Sequence, residues 1–235
     1  MPVALSSPRP ALPALSAAVV VAALALSAWS PHDRATWFLE TVWVLAGLPL
    51  LFLTRRRFPL TDLLYCLLAA HALVLLVGGH YTYAEVPLGD WVRDTFGLER
   101  NPYNRFGHLM QGFVPALLVR ELLRRTSPLT GSGWLAPLTV CACLAFSAVF
   151  EMLEWAAAVI GGEAADAFLA TQGDVWDTQW DMFCALIGAS LSLLLLSRLH
   201  DRRLAALRLS RPTCSGSGPT TAAGTSTAGT TRRHR

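Results

Sequence analysis

The chain has 235 residues, of which 53% are hydrophobic and only 15% are charged, and its formal net charge is +3 at pH 7. This composition excludes a soluble enzyme, a nucleic-acid-binding protein and a redox thiol protein, because no stretch is polar enough to form a folded aqueous domain. The apolar residues gather into runs near the ~20 residues that a helix needs to cross hydrocarbon. The sequence therefore predicts an all-α, polytopic transmembrane helix bundle.

Six membrane spans are predicted in chain order. They are Leu12–Trp29, Trp37–Leu53, Leu60–Gly79, Phe106–Leu118, Trp134–Ile160 and Trp180–Leu199. The fourth span is short and contains His108, Gln111 and Pro115, so we expect it inside the bundle, where neighbouring helices satisfy its polar groups. For the first span a cleaved signal-peptide core is the alternative, but the long apolar run after a single arginine, Arg9, favours a retained helix.

The arginines predict the orientation of these spans. The chain has no lysine, and its arginines concentrate in the second–third loop, the fourth–fifth loop and the C-terminal tail, which six spans place on one side. By the positive-inside rule that side is the cytoplasm, so both termini are expected there. We therefore divide the chain into a cytoplasmic N-terminus (residues 1–11), a membrane domain (12–199) and a basic, low-complexity tail (200–235). The part of this tail after Pro212 is too poor in apolar residues to fold and is expected to be disordered.

Ionisable residues lie in or beside several spans: His80, Glu85, His108, Glu151, Glu154, Asp174, Asp177 and Asp181. A charged side chain inside a bilayer costs roughly 2.5–3.5 kcal/mol on insertion scales, so such residues normally face a protein interior or a wet cavity. Helical spacing puts Asn104, His108 and Gln111 on one face, and it pairs Glu151 with Glu154. The sequence therefore predicts an outward-facing pocket of histidine and carboxylate groups.

The carboxylates of this pocket are compatible with metal chemistry. Two carboxylates one helical turn apart in an apolar setting do not both ionise without a cation or strong donors nearby, so either one is protonated or a partner such as His108, Arg105 or a metal ion lies between them. Oxygen ligands suit Mg²⁺, Mn²⁺ or Ca²⁺, so the cofactor expected is a divalent metal ion held by Glu151, Glu154, Asp177 and Asp181. A catalytic site would use His108 as general acid or base, together with Glu151, Glu154 and Asp181.

A second group of residues is expected to contact a lipid-like or small-molecule ligand at the outer leaflet. It comprises His80, Tyr83, Glu85, Arg105, Gln111, Gln172 and Asp174. Arg105 is the expected contact for a phosphate, because a guanidinium binds phosphate oxygens through two parallel hydrogen bonds. The alternative for His80 and the neighbouring tyrosines is an interfacial belt at the level of the lipid headgroups.

Three classes of function are compatible with this pattern, in decreasing order of support. The first is a protein that binds or processes a lipid or a lipid-linked envelope metabolite, and the second is a structural membrane protein whose polar residues clamp its helices together. The third is a proton-coupled transporter, which requires polar residues that continue to the inner side. The inner halves of the third, fifth and sixth spans are almost wholly apolar apart from Asp62.

Four stretches resemble the YjdF family of bacterial inner-membrane proteins. They are residues 80–83 (HYTY), 100–113 (RNPYNRFGHLMQGF), 151–155 (EMLEW) and 171–182 (TQGDVWDTQWDM), and the similarity runs from about Arg34 to Leu199. The resemblance implies a multi-pass protein of the bacterial inner membrane, and it implies no reaction, because the family has no assigned activity. Asn104 stands where the family usually has Asp, and Ala170 stands where it usually has Gly.

A fainter resemblance connects the chain with VanZ-like membrane proteins. It rests on His108, Glu151, Asp181 and Gly188, while other positions of the pattern differ. By analogy it implies a role at the cell envelope, with lipid or cell-wall intermediates.

Overall fold

The computed structural model describes residues 11–161 and 169–209, and within those ranges every regular element is helical. In chain order the helices are α1 (Ala11–Ser27), α2 (Arg34–Thr54), α3 (Asp62–Tyr81), α4 (Pro87–Phe96), α5 (Tyr103–Thr126), α6 (Leu135–Gly161) and α7 (Asp177–Leu209), with a 3₁₀ turn (Tyr83–Glu85) between α3 and α4. The prediction of an all-α bundle is confirmed. Most of the predicted N-terminal segment, and the predicted tail from residue 210 onward, lie outside the described residues.

Five of these helices correspond to predicted spans. By length and composition α2, α3, α6 and α7 can cross a membrane, and α1 is a shorter apolar helix of 17 residues. The fourth predicted span, Phe106–Leu118, is part of a longer and more polar helix, because α5 has 24 residues and a length of roughly 36 Å. It continues past Leu118 because Arg120 and Glu121 near its end are buried against partners on α7.

Helices α5 and α7 run parallel and pack along most of their length. A Cβ atom on Gly112 would lie 1.9 Å from the carbonyl oxygen of Ala185, and one on Gly188 would lie 2.0 Å from the carbonyl oxygen of Leu109. Only glycine permits backbones to approach so closely, and small residues at such contacts are the usual basis of helix association in lipid. The two glycines therefore fix how α5 and α7 face each other.

The turn between α1 and α2 is tied to the end of α3. Asp33 caps α2, because its carboxylate accepts a 2.7 Å hydrogen bond from the backbone N–H of Thr36, which holds the pKa of Asp33 below its ordinary value. The backbone N–H of His32 donates to the carbonyl oxygen of His80 at 2.9 Å, and the His80 ring donates from Nδ1 to the carbonyl oxygen of Ser27 at 2.9 Å. His80 thus fastens α3 to the end of α1.

A buried group of polar side chains holds the bundle together where α5 ends. Glu121 is fully buried and accepts hydrogen bonds from Arg125 at 2.7 Å, from His200 Nε2 at 3.0 Å and from Thr61 at 3.1 Å. We call these four residues the Glu121 clamp. It links α5, α7 and the segment before α3, and the sequence pattern did not indicate it.

Candidate functional site

Three ionisable side chains from three helices meet inside the bundle near the starts of α5 and α7. Nδ1 of His108 on α5 lies 3.7 Å from Oε1 of Glu151 on α6, and Nε2 lies 3.6 Å from Oδ2 of Asp181 on α7. The three residues are only 4%, 6% and 1% exposed, respectively. We call them the triad. All three are ionisable residues that the sequence places in or beside predicted membrane spans.

Hydrogen bonds from neighbouring side chains orient the triad. His108 Nδ1 donates to Gln111 Oε1 at 3.0 Å, so in a neutral ring Nε2 is the unprotonated nitrogen with a lone pair. Asn104 Nδ2 donates to Asp181 Oδ2 at 2.8 Å. Asn104, His108 and Gln111 are all buried on α5, so this face of the helix supplies one triad member and holds a second in place.

Glu154 and Thr178 complete the surroundings of Glu151. Both lie close to the Glu151 side chain, and Glu154 is itself buried. Among the described residues, Oε1 of Glu151 and Oδ1 of Asp181 are buried and have no hydrogen-bond partner.

Arg100 and Arg105 bind the carboxylates at the rim of the site. Arg105 lies 2.6 Å from Asp174 Oδ2, while Arg100 pairs with Asp177 and, at 3.4 Å, with Asp174. Asp177 was predicted as a metal ligand, yet in the structure its carboxylate pairs with the guanidinium of Arg100. Arg105 was predicted to bind a phosphate, yet its partner here is the carboxylate of Asp174.

Three of the predicted ligand contacts have other partners. Gln172 exchanges two hydrogen bonds with the backbone of Asn101, at 2.9 and 3.0 Å, and so holds the loop before α5. The His80 ring bonds to the Ser27 carbonyl, and Glu85 lies 3.4 Å from His32 at the surface. In the structure Gln172, His80 and Glu85 therefore make loop and helix contacts, and their predicted contact with a ligand stays a prediction.

Glu40 on α2 is a buried carboxyl group that the sequence reasoning missed. Its carboxyl group lies close to the hydroxyl of Tyr83, whose ring fills the space beside Gly78 and Gly107. Burial, and then the neighbouring Glu40 carboxyl, raise the pKa of Tyr83 well above its ordinary value, so the hydroxyl stays protonated. The signal was present in the sequence, because Glu40 is an acid within the predicted span Trp37–Leu53.

A cavity of about 590 Å³ lies between α1, α2, α3, α5 and α6. Most of its lining is apolar, and side chains of α2 line it from Glu40 to Arg55, a distance of roughly 22 Å along the helix axis. Glu40, Tyr83, Asn104 and His108 supply hydrogen-bonding groups at one end, and Arg55 lies at the other. His108 thus belongs both to the cavity wall and to the triad.

Comparison with known proteins agrees with a membrane location. The family described as predicted membrane protein (DUF2238) matches residues 12–202. The inner membrane protein YjdF of Escherichia coli (strain K12) is 48% identical over 196 residues, which cover 83% of this chain and 94% of that protein. The resemblance to the YjdF family is confirmed, whereas these comparisons do not show the resemblance to VanZ-like proteins. No solved structure matches the chain.

Proposed function

The chain belongs to the DUF2238 family and is an integral inner-membrane protein, and on this premise we propose that it binds a lipid-like amphiphile within its helix bundle. The observation that carries the proposal is the cavity along α2. Its volume of about 590 Å³ lies in the range of roughly 300–1,000 Å³ that is usual for small-molecule sites. An elongated apolar cavity inside a bilayer suits a molecule with a long hydrocarbon chain.

The polar end of the cavity favours a neutral or cationic head group. Glu40 and His108 line that end, and the carboxylates of Glu151 and Asp181 lie close behind the His108 ring. A hydroxyl, amide or amine can donate hydrogen bonds to such acceptors, whereas a bare phosphate is repelled by like charge. The phosphate contact expected at Arg105 is not needed for this ligand.

We further propose that the polar end faces outward, with both termini in the cytoplasm. The opposite end of the bundle carries the arginine-rich segments at residues 55–57 and 120–125, which the positive-inside rule assigns to the cytoplasm. Reporter fusions test this orientation. A fluorescent protein joined after residue 209 should be fluorescent, and a periplasmic phosphatase joined there should be inactive; the reverse result would overturn the orientation.

Photolabelling tests the amphiphile proposal. The probe is a long-chain alcohol with a diazirine at mid-chain, added to the protein in native-lipid nanodiscs and mapped by peptide mass spectrometry. We expect labels on α2 between Glu40 and Arg55. Gly47 lines the cavity and a Cβ there would meet nothing within 4 Å, so the ring of Gly47→Phe should occupy cavity space and reduce labelling.

Leu53→Phe is the matched control for Gly47→Phe. Leu53 is on the same helix, is 74% exposed toward the surroundings of the bundle, and does not line the cavity. Labelling inside the cavity should therefore persist in this variant. Labels spread over the outer faces of the bundle, with no difference between the two variants, would contradict the proposal.

A structural role is the second candidate, and the 2.8 Å hydrogen bond between Asn104 and Asp181 favours it. In that case the polar residues join α5 to α7 and bind nothing. Substitutions at these two positions would then lower stability, and photolabelling of the cavity would be absent even in the unaltered protein.

A further inference from the structure

We infer that His108, Glu151 and Asp181 form a binding site for a divalent transition-metal ion, Zn²⁺ or Mn²⁺. One nitrogen of His108 and one oxygen of each carboxylate lie within 4.8 Å of one another. The site goes beyond amphiphile binding and does not depend on it, because only His108 of the three lines the cavity. Since α5, α6 and α7 each supply one ligand, only the folded bundle forms the site.

Two buried oxygen atoms of the triad support the inference independently of its spacing. Oε1 of Glu151 and Oδ1 of Asp181 have no hydrogen-bond partner among the described residues, and these residues are only 6% and 1% exposed. A buried carboxylate oxygen is costly unless a donor or an ion satisfies it. One cation between the two side chains would satisfy both oxygens.

The hydrogen bonds around the triad are those that orient metal ligands in proteins. His108 donates from Nδ1 to Gln111, so the Nε2 lone pair is available and directed toward the Asp181 side. Asn104 donates to Oδ2 of Asp181 and leaves Oδ1 unpaired, and Thr178 lies close to Glu151. In established sites such partners fix ring tautomer and carboxylate orientation in the same way.

The local charge also favours a cation. Arg100 and Arg105 are engaged by Asp174 and Asp177, so no described arginine lies within ion-pair distance of the triad. A divalent ion would compensate the negative charges of Glu151 and Asp181 together.

The donor set selects the class of metal. One imidazole nitrogen with two carboxylate oxygens suits Zn²⁺ or Mn²⁺, whereas Mg²⁺ and Ca²⁺ prefer oxygen ligands alone. Tetrahedral ligands at ~2.0–2.2 Å from an ion are roughly 3.3–3.6 Å apart, so the ligand atoms, which lie within 4.8 Å of one another, would approach by at most about 1.5 Å on binding. Three protein ligands leave a coordination position open, as in catalytic rather than structural zinc sites.

The test measures metal content directly. Protein without a histidine tag is purified in mild detergent, incubated with Zn²⁺ or Mn²⁺, desalted and analysed by elemental mass spectrometry. We expect about one ion per chain in the unaltered protein and at least a tenfold loss in the Glu151→Gln/Asp181→Asn variant. Glu40→Gln is the matched control, because it removes another buried carboxylate outside the triad; it should retain the ion.

A second measurement keeps the inference falsifiable if the double variant does not fold. X-ray absorption of the Zn²⁺-loaded unaltered protein should show one imidazole among the ligands, with light scatterers at ~2.0–2.2 Å. Three results would overturn the proposed metal site. They are unaltered protein that binds neither ion, an ion that the folded double variant retains, and an absorption spectrum that shows no imidazole ligand. Photolabelling of metal-stripped protein separates the two proposals, since cavity labelling that persists leaves amphiphile binding intact.

Discussion

Asn104 Nδ2 lies 2.8 Å from Asp181 Oδ2, and this hydrogen bond joins the first turn of α5 to the second turn of α7 inside the bundle. It also sets the orientation of Asp181 toward His108.

The Asn104–Asp181 bond should be measurable as a coupling energy. Asn104→Ala should destabilise the protein by about 1–3 kcal/mol, because it leaves a buried carboxylate oxygen without its donor. In a double-mutant cycle with Asp181→Ala we expect a coupling between about 0.6 and about 1.7 kcal/mol, the average and the maximum found for hydrogen bonds between transmembrane helices. Equilibrium unfolding in mixed detergents gives these values. Strictly additive effects would show that the two side chains do not interact in the folded protein.

Gly112→Ala and Gly188→Ala should each destabilise the bundle. Either methyl group would overlap the backbone of the facing helix, at 1.9 Å and 2.0 Å from a carbonyl oxygen, so α5 and α7 must separate. Overpacking of this kind costs about 1–3 kcal/mol and sometimes more. Gly47→Ala is the control, because a Cβ there meets nothing within 4 Å and alanine favours a helix. Equal melting temperatures for all three variants would contradict the close packing of α5 and α7.

Tyr83 should make the stability sensitive to alkaline pH. Burial, followed by the charge of Glu40, raises its pKa in the folded state well above the unfolded value near 10. The folded state therefore holds the proton longer, so this contribution to stability is complete below about pH 10 and is lost as pH rises toward the folded pKa. Unfolding free energies measured from about pH 8 to about pH 11 should fall more steeply for the unaltered protein than for Tyr83→Phe. Parallel curves would mean that the hydroxyl is not buried.

The Glu121 clamp should be a large contributor to stability. Glu121→Gln removes the charge that His200 and Arg125 share, at 3.0 and 2.7 Å, and leaves a buried guanidinium without its counter-ion. Breaking such a pair from one side costs about 3–5 kcal/mol. Glu99→Gln, at an exposed position, should change stability by less than about 0.5 kcal/mol. Similar thermal midpoints for both variants would show that the clamp is dispensable.

The sequence predicted the helices well, because hydrophobic runs of membrane length are a strong signal. The predicted span Trp134–Ile160 differs from α6 (Leu135–Gly161) by one residue at each end. Helical spacing also predicted the inward faces of α5 and α6, which carry His108 and Glu151. A periodic pattern predicts which side of its own helix a side chain lies on, and it does not predict which helix faces that side.

The hydrogen bonds and ion pairs between segments far apart in the sequence were not predictable in the same way. Arg100 lies 77 residues before Asp177, and Glu121 lies 79 residues before His200, so their pairing depends on how α5 and α7 pack. Glu40 was overlooked because a single acid in an apolar run has no spacing that connects it with another helix. The cavity was also unpredictable, since apolar runs indicate which residues avoid water and not how closely their helices pack.

The most direct test of the amphiphile-binding account is an electron cryomicroscopy map of the protein in native-lipid nanodiscs. The account predicts elongated density along α2 between Glu40 and Arg55, with its polar end beside His108, and the same map of Gly47→Phe should lack it. A cavity closed by its own side chains in the unaltered protein, or lipid density confined to the outer surface of the bundle, would contradict the account.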